Sequence, residues 1–156
     1  MKKILLSFNP LYYEPVANGE KKFEYRSRFS SEAVEAYLYL SSPIQKIVSI
    51  VEFGKRIDLE DMKKSYVYDT QAINRIQEYI DKYNKRYAVP IKKVTFIEPI
   101  SLDEIRKRIP GFMPPQSYLI IKEGTILNEF LSNCRMTGKE IILDHSNINS
   151  NEICIN

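Results

Sequence analysis

The 156-residue chain contains no tryptophan, only 2 cysteines and only 5 glycines. No run of residues approaches the roughly 18 consecutive apolar residues of a membrane-spanning helix, so we expect no membrane association of that kind. Cys134 and Cys154 lie far apart and without CxxC spacing, which argues against a metal cluster and favours a reducing compartment. The few glycines form no GxGxxG or phosphate-binding loop pattern, which argues against a nucleotide site built from bare backbone.

The chain also has a single histidine, His145, which lies in a polar C-terminal tail. A Ser-His-Asp or Cys-His site would require this tail to fold back into a cleft, because a general base must lie within hydrogen-bond reach of its nucleophile. The N-terminal apolar run stops at Asn9-Pro10 without a small-residue cleavage site, so we expect no signal peptide and a cytoplasmic protein. We predict neither a metal nor a cofactor.

Charge is distributed unevenly along the chain. The formal net charge is +3, but residues 1–122 hold 21 basic and 15 acidic side chains, whereas residues 123–156 hold 2 and 5. Hydrophobic residues make up 44% of the chain and charged residues 28%, a composition typical of a folded domain. A basic body is compatible with a polyanionic partner but does not identify one.

Hydrophobic periodicity predicts about six strands with helices inserted between them. The expected strands span residues 2–8, 23–29, 36–40, 46–53, 91–97 and 117–121. The expected helical segments span residues 11–17, 58–64, 69–87, 101–109 and 125–133. Because strands and helices do not alternate strictly, this pattern predicts an α+β fold around a curved or closed sheet.

One charged segment, residues 19–28, stands out for its chemistry. Gly19 follows a short predicted helix, and Lys21 lies where the chain enters a strand. Glu24, Arg26 and Arg28 then share one strand face, since side chains two residues apart point the same way. Lysine offers a point charge, glutamate accepts hydrogen bonds, and arginine forms paired bonds to phosphate or carboxylate. Without further information, such a face is also compatible with ordinary solvated charge pairing.

The same segment resembles a family signature. The pattern G-x-K-x-x-E-x-R, here Gly19, Lys21, Glu24 and Arg26, is similar to that of the ASCH family, whose fold resembles the PUA barrel of RNA-binding domains. The resemblance extends to AYLYLSSPIQKIVSIVEF, RYAVPIKKVTFIEPISLDEI and PPQSYLII, and covers about residues 3–121.

The resemblance implies a PUA-like small β-barrel over residues 1–122. Residues 123–156 match nothing in this family, and their own sequence predicts an extension with a short helix and a polar tail that is poorly ordered or loosely docked. It also implies a cleft beside the helix-to-strand junction that holds RNA or a modified nucleoside. Lys21, Glu24 and Arg26 carry over as cleft residues. The rim polar groups expected with them are Ser42, Gln116 and Ser117.

Two enzymatic alternatives to simple binding remain open. Some relatives hydrolyse the acetyl amide of acetylated cytidine with a threonine where this chain has Glu24. Here Lys21 with Glu24 or Glu52 would have to act as acid and base. A metal-independent ribonuclease, assisted by Lys21 and Glu24, is the other alternative. Because the chain has no tryptophan, it cannot bind modified bases as some relatives do, in a cage of tryptophan side chains. The sequence leaves the oligomeric state open.

Two further sets of residues have competing interpretations. A basic helix face followed by two lysines is either a solvated surface or a track for phosphates, and it comprises Arg75, Lys82, Lys85, Arg86, Lys92 and Lys93. Tyrosines 79, 83 and 87 fit the apolar stripe of the same predicted helix, so we expect them in the core. Tyr12, Tyr13 and Tyr25 flank the motif and are the preferred candidates for stacking on bases, although Tyr25 shares the apolar strand face and is also a candidate for burial.

Overall fold

The computed structural model describes residues 1–155, which contain eight β-strands and five short α-helices. The strands are β1 Lys2–Phe8, β2 Phe23–Arg26, β3 Val34–Leu40, β4 Lys46–Phe53, β5 Ile57–Asp58, β6 Tyr87–Ser101, β7 Tyr118–Ile120 and β8 Met136–Ile142. The helices are α1 Glu14–Ala17, α2 Leu59–Met62, α3 Thr70–Asp81, α4 Leu102–Arg108 and α5 Ile126–Ser132.

The strands form a mixed sheet that curls into a half-barrel, with the order β2-β6-β4-β3-β1-β7. Strands β1 and β3 run parallel, and every other pairing is antiparallel. Strands β5 and β8 both pair with β6 in addition. The predicted α+β class and curved sheet are confirmed, although two of the eight strands, β5 and β8, are not among those expected from the sequence.

The 15-residue strand β6 organises the sheet because it has different neighbours along its length. Its first part pairs with β2 and β5, and its later part pairs with β4 and β8. The helix predicted over residues 69–87 is wrong beyond Asp81, and Tyr87 begins β6 instead. Asn84 adopts a left-handed φ of 55° that turns the chain away from the helix, and Tyr87 then pairs with Arg26 of β2.

Both faces of the central strands are covered, which explains their nearly continuous apolar sequences. On β1, Ile4 and Leu6 enter the core inside the curl, whereas Leu5 enters a second core beneath α4 and α5. A third core lies where α3 packs against β2 and includes Ile76 and Tyr25. The sheet is therefore held between helices on one side and its own curl on the other.

The C-terminal tail is docked, in contrast to the loose tail expected from its polar sequence. Ile153 is 0% exposed and lies in the third core with Cys154. The Arg75 guanidinium donates to the carbonyl oxygens of Ser150 (2.6 Å) and Ile153 (3.2 Å), and the Cys154 N–H donates to the Tyr25 hydroxyl at 2.7 Å. Ile153 and Cys154 suffice to anchor this largely polar segment because they pack against the apolar residues of α3 and β2 in the third core.

Within the extension, the short helix predicted around residues 125–133 is present as α5. Strand β8 pairs with β6 and adds to the sheet. The division of the chain at residue 122 stays a prediction. Across residues 1–155, the structure contains no helix with both the length and the apolar character needed to cross a membrane.

We expect Ile153→Ala to lower the free energy of unfolding by about 2–5 kcal/mol, because it removes a fully buried side chain from the third core. Urea denaturation measures the loss. The control Ile126→Ala, at a position 55% exposed on α5, is expected to change the free energy by about 0.5 kcal/mol or less. Equal effects of the two substitutions would contradict the docking of the tail.

Candidate functional site

The site is built at the junction between α1 and β2. Helix α1 ends at Ala17 with Asn18 as its C-cap, and Gly19 follows with a φ of 79°, a backbone conformation that is strained for residues with a side chain. A Cβ at Gly19 would also lie 3.1 Å from the Ile141 side chain. The Lys21 N–H then donates to the Pro15 carbonyl at 3.0 Å, which sets the start of β2 and aims the motif side chains inward.

Three charged side chains of the motif form one hydrogen-bonded group. The Lys21 ammonium donates to Glu24 Oε1 at 2.8 Å, and Arg26 Nε and Nη2 each lie 3.0 Å from Glu24 Oε2. Arg26 Nη2 also donates to the Ser7 carbonyl of β1 at 3.2 Å. We call Lys21, Glu24 and Arg26 the charged triad.

Burial makes the triad's electrostatics strong. Lys21 is 8% exposed and Glu24 is 7% exposed, and the Phe8 ring centroid lies 5.5 Å from the Lys21 ammonium. Burial by itself raises the pKa of Glu24, but the charges of Lys21 and Arg26 and their hydrogen bonds outweigh it and hold that pKa below its ordinary value. Glu24 is therefore an ionised acceptor whose two oxygens are already engaged, which makes it a weak base.

The triad lies in a cleft of about 950 Å³, at the upper end of the range for small-molecule sites. Segments of β1, β2 and α3, the turn after β3, the loop before β7 and the C-terminal tail line this cleft. Four cationic side chains face two anionic ones, so the cleft carries an excess of positive charge. The charged lining residues are Lys21, Glu24, Arg26, Arg75, Glu78 and Lys85.

Among the rim groups expected from the sequence, Ser42 and Gln116 line the cleft. Ser117 is not among the lining residues, although its backbone carbonyl accepts from the Ser7 N–H at 2.9 Å. Glu52 also lies outside the lining, at a position of β4 paired with Glu35 of β3 and Lys93 of β6. The structure thus brings together five of the seven predicted site residues.

The basic face of the predicted helix is divided by the fold. Arg75 and Lys85 line the cleft, whereas Lys82 and Arg86 do not. Lys93 instead lies 3.3 Å from Glu140 of β8. Sequence periodicity cannot make this division, because Lys85 follows the end of α3 and is oriented by the turn.

The tyrosines also differ from the sequence-based expectation. Tyr79, Tyr83 and Tyr25 all line the cleft, and Tyr83 is 49% exposed. Tyr25 is otherwise buried, and its hydroxyl accepts a hydrogen bond from the Cys154 N–H. Tyr12, at 52% exposure, lines the cleft as well, but Tyr13 packs inward and donates to Ser49. The aromatic groups open to a ligand are therefore Tyr12 and Tyr83.

His145 lies outside the cleft lining. Its Nε2 lies 2.7 Å from the Ile91 carbonyl oxygen, its ring packs edge-on against Phe23, and burial lowers its pKa. Within residues 1–155, no group of three His, Cys, Asp or Glu side chains is arranged to hold a metal ion.

The curled mixed sheet with helices packed on one side matches the α+β, PUA-like fold expected from the sequence. Over 121 residues the chain is 24% identical to a protein of Zymomonas mobilis subsp. mobilis named ASCH domain-containing ribonuclease. The aligned region covers 74% of this chain and 82% of that relative. No family model matches the chain.

Solved structures give the same result for the fold. The crystal structure of ASCH from Zymomonas mobilis matches with a TM-score of 0.64 and 19% identity, covering 85% of this chain and 96% of that one. A mutant of that protein matches with a TM-score of 0.64 and 18% identity, covering 86% of this chain and 99% of that one. The resemblance of the sequence is thereby confirmed, and the chain carries the ASCH domain fold.

We expect Glu24→Gln to destabilise the protein by about 3–5 kcal/mol at neutral pH, because two buried cations lose their shared carboxylate. Since the folded pKa of Glu24 lies below its ordinary value of 4.5, the stabilisation is complete above that pH and is lost as the pH falls through the folded value. The difference between wild type and variant should therefore shrink in acid.

Urea denaturation over a pH series measures this difference. Glu32→Gln serves as the control, since Glu32 is exposed and lies 3.9 Å from Lys2 in a surface pair of little energetic weight. A difference between wild type and Glu24→Gln that stays constant down to strongly acidic pH would contradict an ionised Glu24.

Proposed function

We propose that this protein binds RNA in the cleft around the charged triad and cleaves it there. The observation that carries the proposal is a large, open cleft with four cationic and two anionic side chains, flanked by exposed tyrosines. The relative named as a ribonuclease, which this chain matches over 82% of that relative's length, supports the same function.

The excess of positive charge in the cleft suits the phosphate groups of RNA. Binding of RNA releases counterions from its backbone, so a cleft with a net positive lining gains affinity in proportion to the phosphates it neutralises. The triad supplies one net positive charge at the floor of the cleft. On the α3 side, Arg75 and Lys85 carry two positive charges and the exposed Glu78 carries one negative charge, which adds one more net positive charge. This is the electrostatic arrangement of a nucleic-acid site.

Tyrosines and polar side chains at the rim of the cleft would contact the RNA bases. Tyr12 follows β1 and Tyr83 follows α3, so exposed rings approach the cleft from two different segments. Such rings stack on unpaired bases, with about 1–3 kcal/mol per base. Gln116 and Ser42 supply donors and acceptors at the rim for base edges or ribose hydroxyls.

Cleavage would use the ribose 2′-hydroxyl as the nucleophile. Its oxygen attacks phosphorus and loses its proton to water, while the P–O5′ bond breaks and the 5′-oxygen takes a proton from water. The products are a 2′,3′-cyclic phosphate and a 5′-hydroxyl. Positively charged side chains stabilise the extra negative charge on phosphorus in the transition state.

Hydrolysis of acetylated cytidine receives less support from the geometry. That reaction needs a carboxylate able to take a proton, whereas the lowered pKa and occupied oxygens of Glu24 oppose this role. Glu52, the other candidate carboxylate, does not line the cleft.

An end-labelled RNA incubated with the protein, followed by a denaturing gel, tests the proposal. One arm contains EDTA and another contains Mg²⁺, and products in the EDTA arm identify a metal-independent reaction. A single 2′-deoxy substitution should block cleavage at that position only. Absence of cleavage in both arms would refute the proposed cleavage, and release of acetate from acetylated cytidine would favour the amidohydrolase.

We expect Gln116→Glu to weaken RNA binding about fivefold, since two unit charges about 4 Å apart in water repel by about 1 kcal/mol. Fluorescence anisotropy with a labelled RNA measures the effect. Gln71→Glu, an exposed change of the same kind outside the cleft lining, is the matched control. Equal weakening by both variants would show that binding responds to net charge and not to this cleft.

A further inference from the structure

The cations of the cleft differ in whether the protein already supplies their acceptors. Lys21 and Arg26 donate to the Glu24 carboxylate, and Arg26 also donates to a carbonyl of β1. The Arg75 guanidinium donates to two carbonyl oxygens of the C-terminal tail. Each of these three side chains is held in place by contacts that an incoming anion would have to share or break.

Lys85 is different. It is half-buried and lines the cleft, and within residues 1–155 its ammonium makes neither a hydrogen bond nor an ion pair. Its backbone is nevertheless fixed, because its N–H donates to the Tyr79 carbonyl at 2.9 Å and the next N–H, of Arg86, donates to the Arg26 carbonyl at 3.1 Å. A rigid backbone therefore presents an uncommitted cation beside the triad.

The surroundings of Lys85 favour an anionic ligand. Burial lowers the pKa of its ammonium, Glu24 opposes that effect, and the like charges of Arg26 and Lys21 add to it. A partly desolvated cation near two other cations gains more from an anion than a fully hydrated surface lysine does, since the effective dielectric constant is lower there.

We infer that Lys85 is the side chain that contacts an RNA phosphate in the cleft, whereas Lys21 and Arg26 hold the cleft floor in shape. This inference rests on the proposed RNA binding and assigns its main phosphate contact. The sequence motif singles out Lys21 and Arg26 as cleft cations, whereas this inference assigns the phosphate contact to Lys85, which lies outside the motif.

The salt dependence of binding tests the assignment. The probe is a short fluorescein-labelled 2′-O-methyl oligouridine, which lacks the free 2′-hydroxyl required for the proposed cleavage, and anisotropy gives its Kd between about 50 and about 200 mM KCl in EDTA. Lys85→Ala should weaken binding about tenfold, the loss expected for one charged hydrogen bond. It should also reduce the slope of log Kd against log salt by about 0.7, the value for one phosphate on a single strand.

Matched variants separate a phosphate contact from a packing role. Lys85→Arg keeps the charge and should retain the full slope, whereas Lys85→Met keeps most of the stem and should lose slope as the alanine variant does. Lys64→Ala removes a lysine that is 79% exposed, paired with Asp61 and outside the cleft lining, and should leave the slope unchanged.

The outcomes distinguish the two proposals. If the wild-type protein does not bind the probe, the proposed RNA binding fails. If wild type binds and Lys85→Met keeps the full slope, the assignment of Lys85 is overturned while RNA binding stands. Reduced affinity of Lys85→Met with an unchanged slope would equally overturn it, because a purely structural role changes affinity without changing the number of phosphates neutralised.

Discussion

The arrangement of the cleft depends on one buried carboxylate. Glu24 lies between Lys21 and Arg26, and an isolated charge at that depth would be strongly disfavoured. Its two partners come from the same short segment, and Arg26 ties that segment to β1 through the Ser7 carbonyl. The interaction therefore joins the edge strand β2 to β1, which lies four strands away in the sheet order, and gives the floor of the cleft a single net positive charge.

Strand β6 explains why the rest of the cleft assembles around that floor. Its first residues pair with β2, and the turn before it carries Lys85, so the helix α3 and the triad are brought side by side by one strand pairing. The cations then divide into two groups: those already bonded to protein acceptors and the one that is not. This division separates the residues that maintain the cleft from the residue that is offered to a ligand.

The C-terminal tail completes the wall next to α3. The Arg75 guanidinium lines the cleft and donates to the tail carbonyls, and Cys154 and Ile155 of the tail line the cleft themselves. A segment whose sequence is largely polar is thus part of the site, because Ile153 and Cys154 anchor it in the third core. The cleft draws on residues from nearly the whole length of the chain.

By itself, the sequence determined the α+β class, six of the eight strands and the capped helix that begins at Leu102, because these features depend on local periodicity and capping. The motif also named Lys21, Glu24 and Arg26 as candidates, but not the contacts between them. Tertiary structure alone decided the extent of α3, the pairing of β8 with β6, the docking of the tail, and the separation of Glu52 from the cleft. It also decided that Lys85 and Tyr83 line the cleft. These outcomes follow from strand pairing and packing between residues far apart in the chain, and a local pattern carries no information about such contacts.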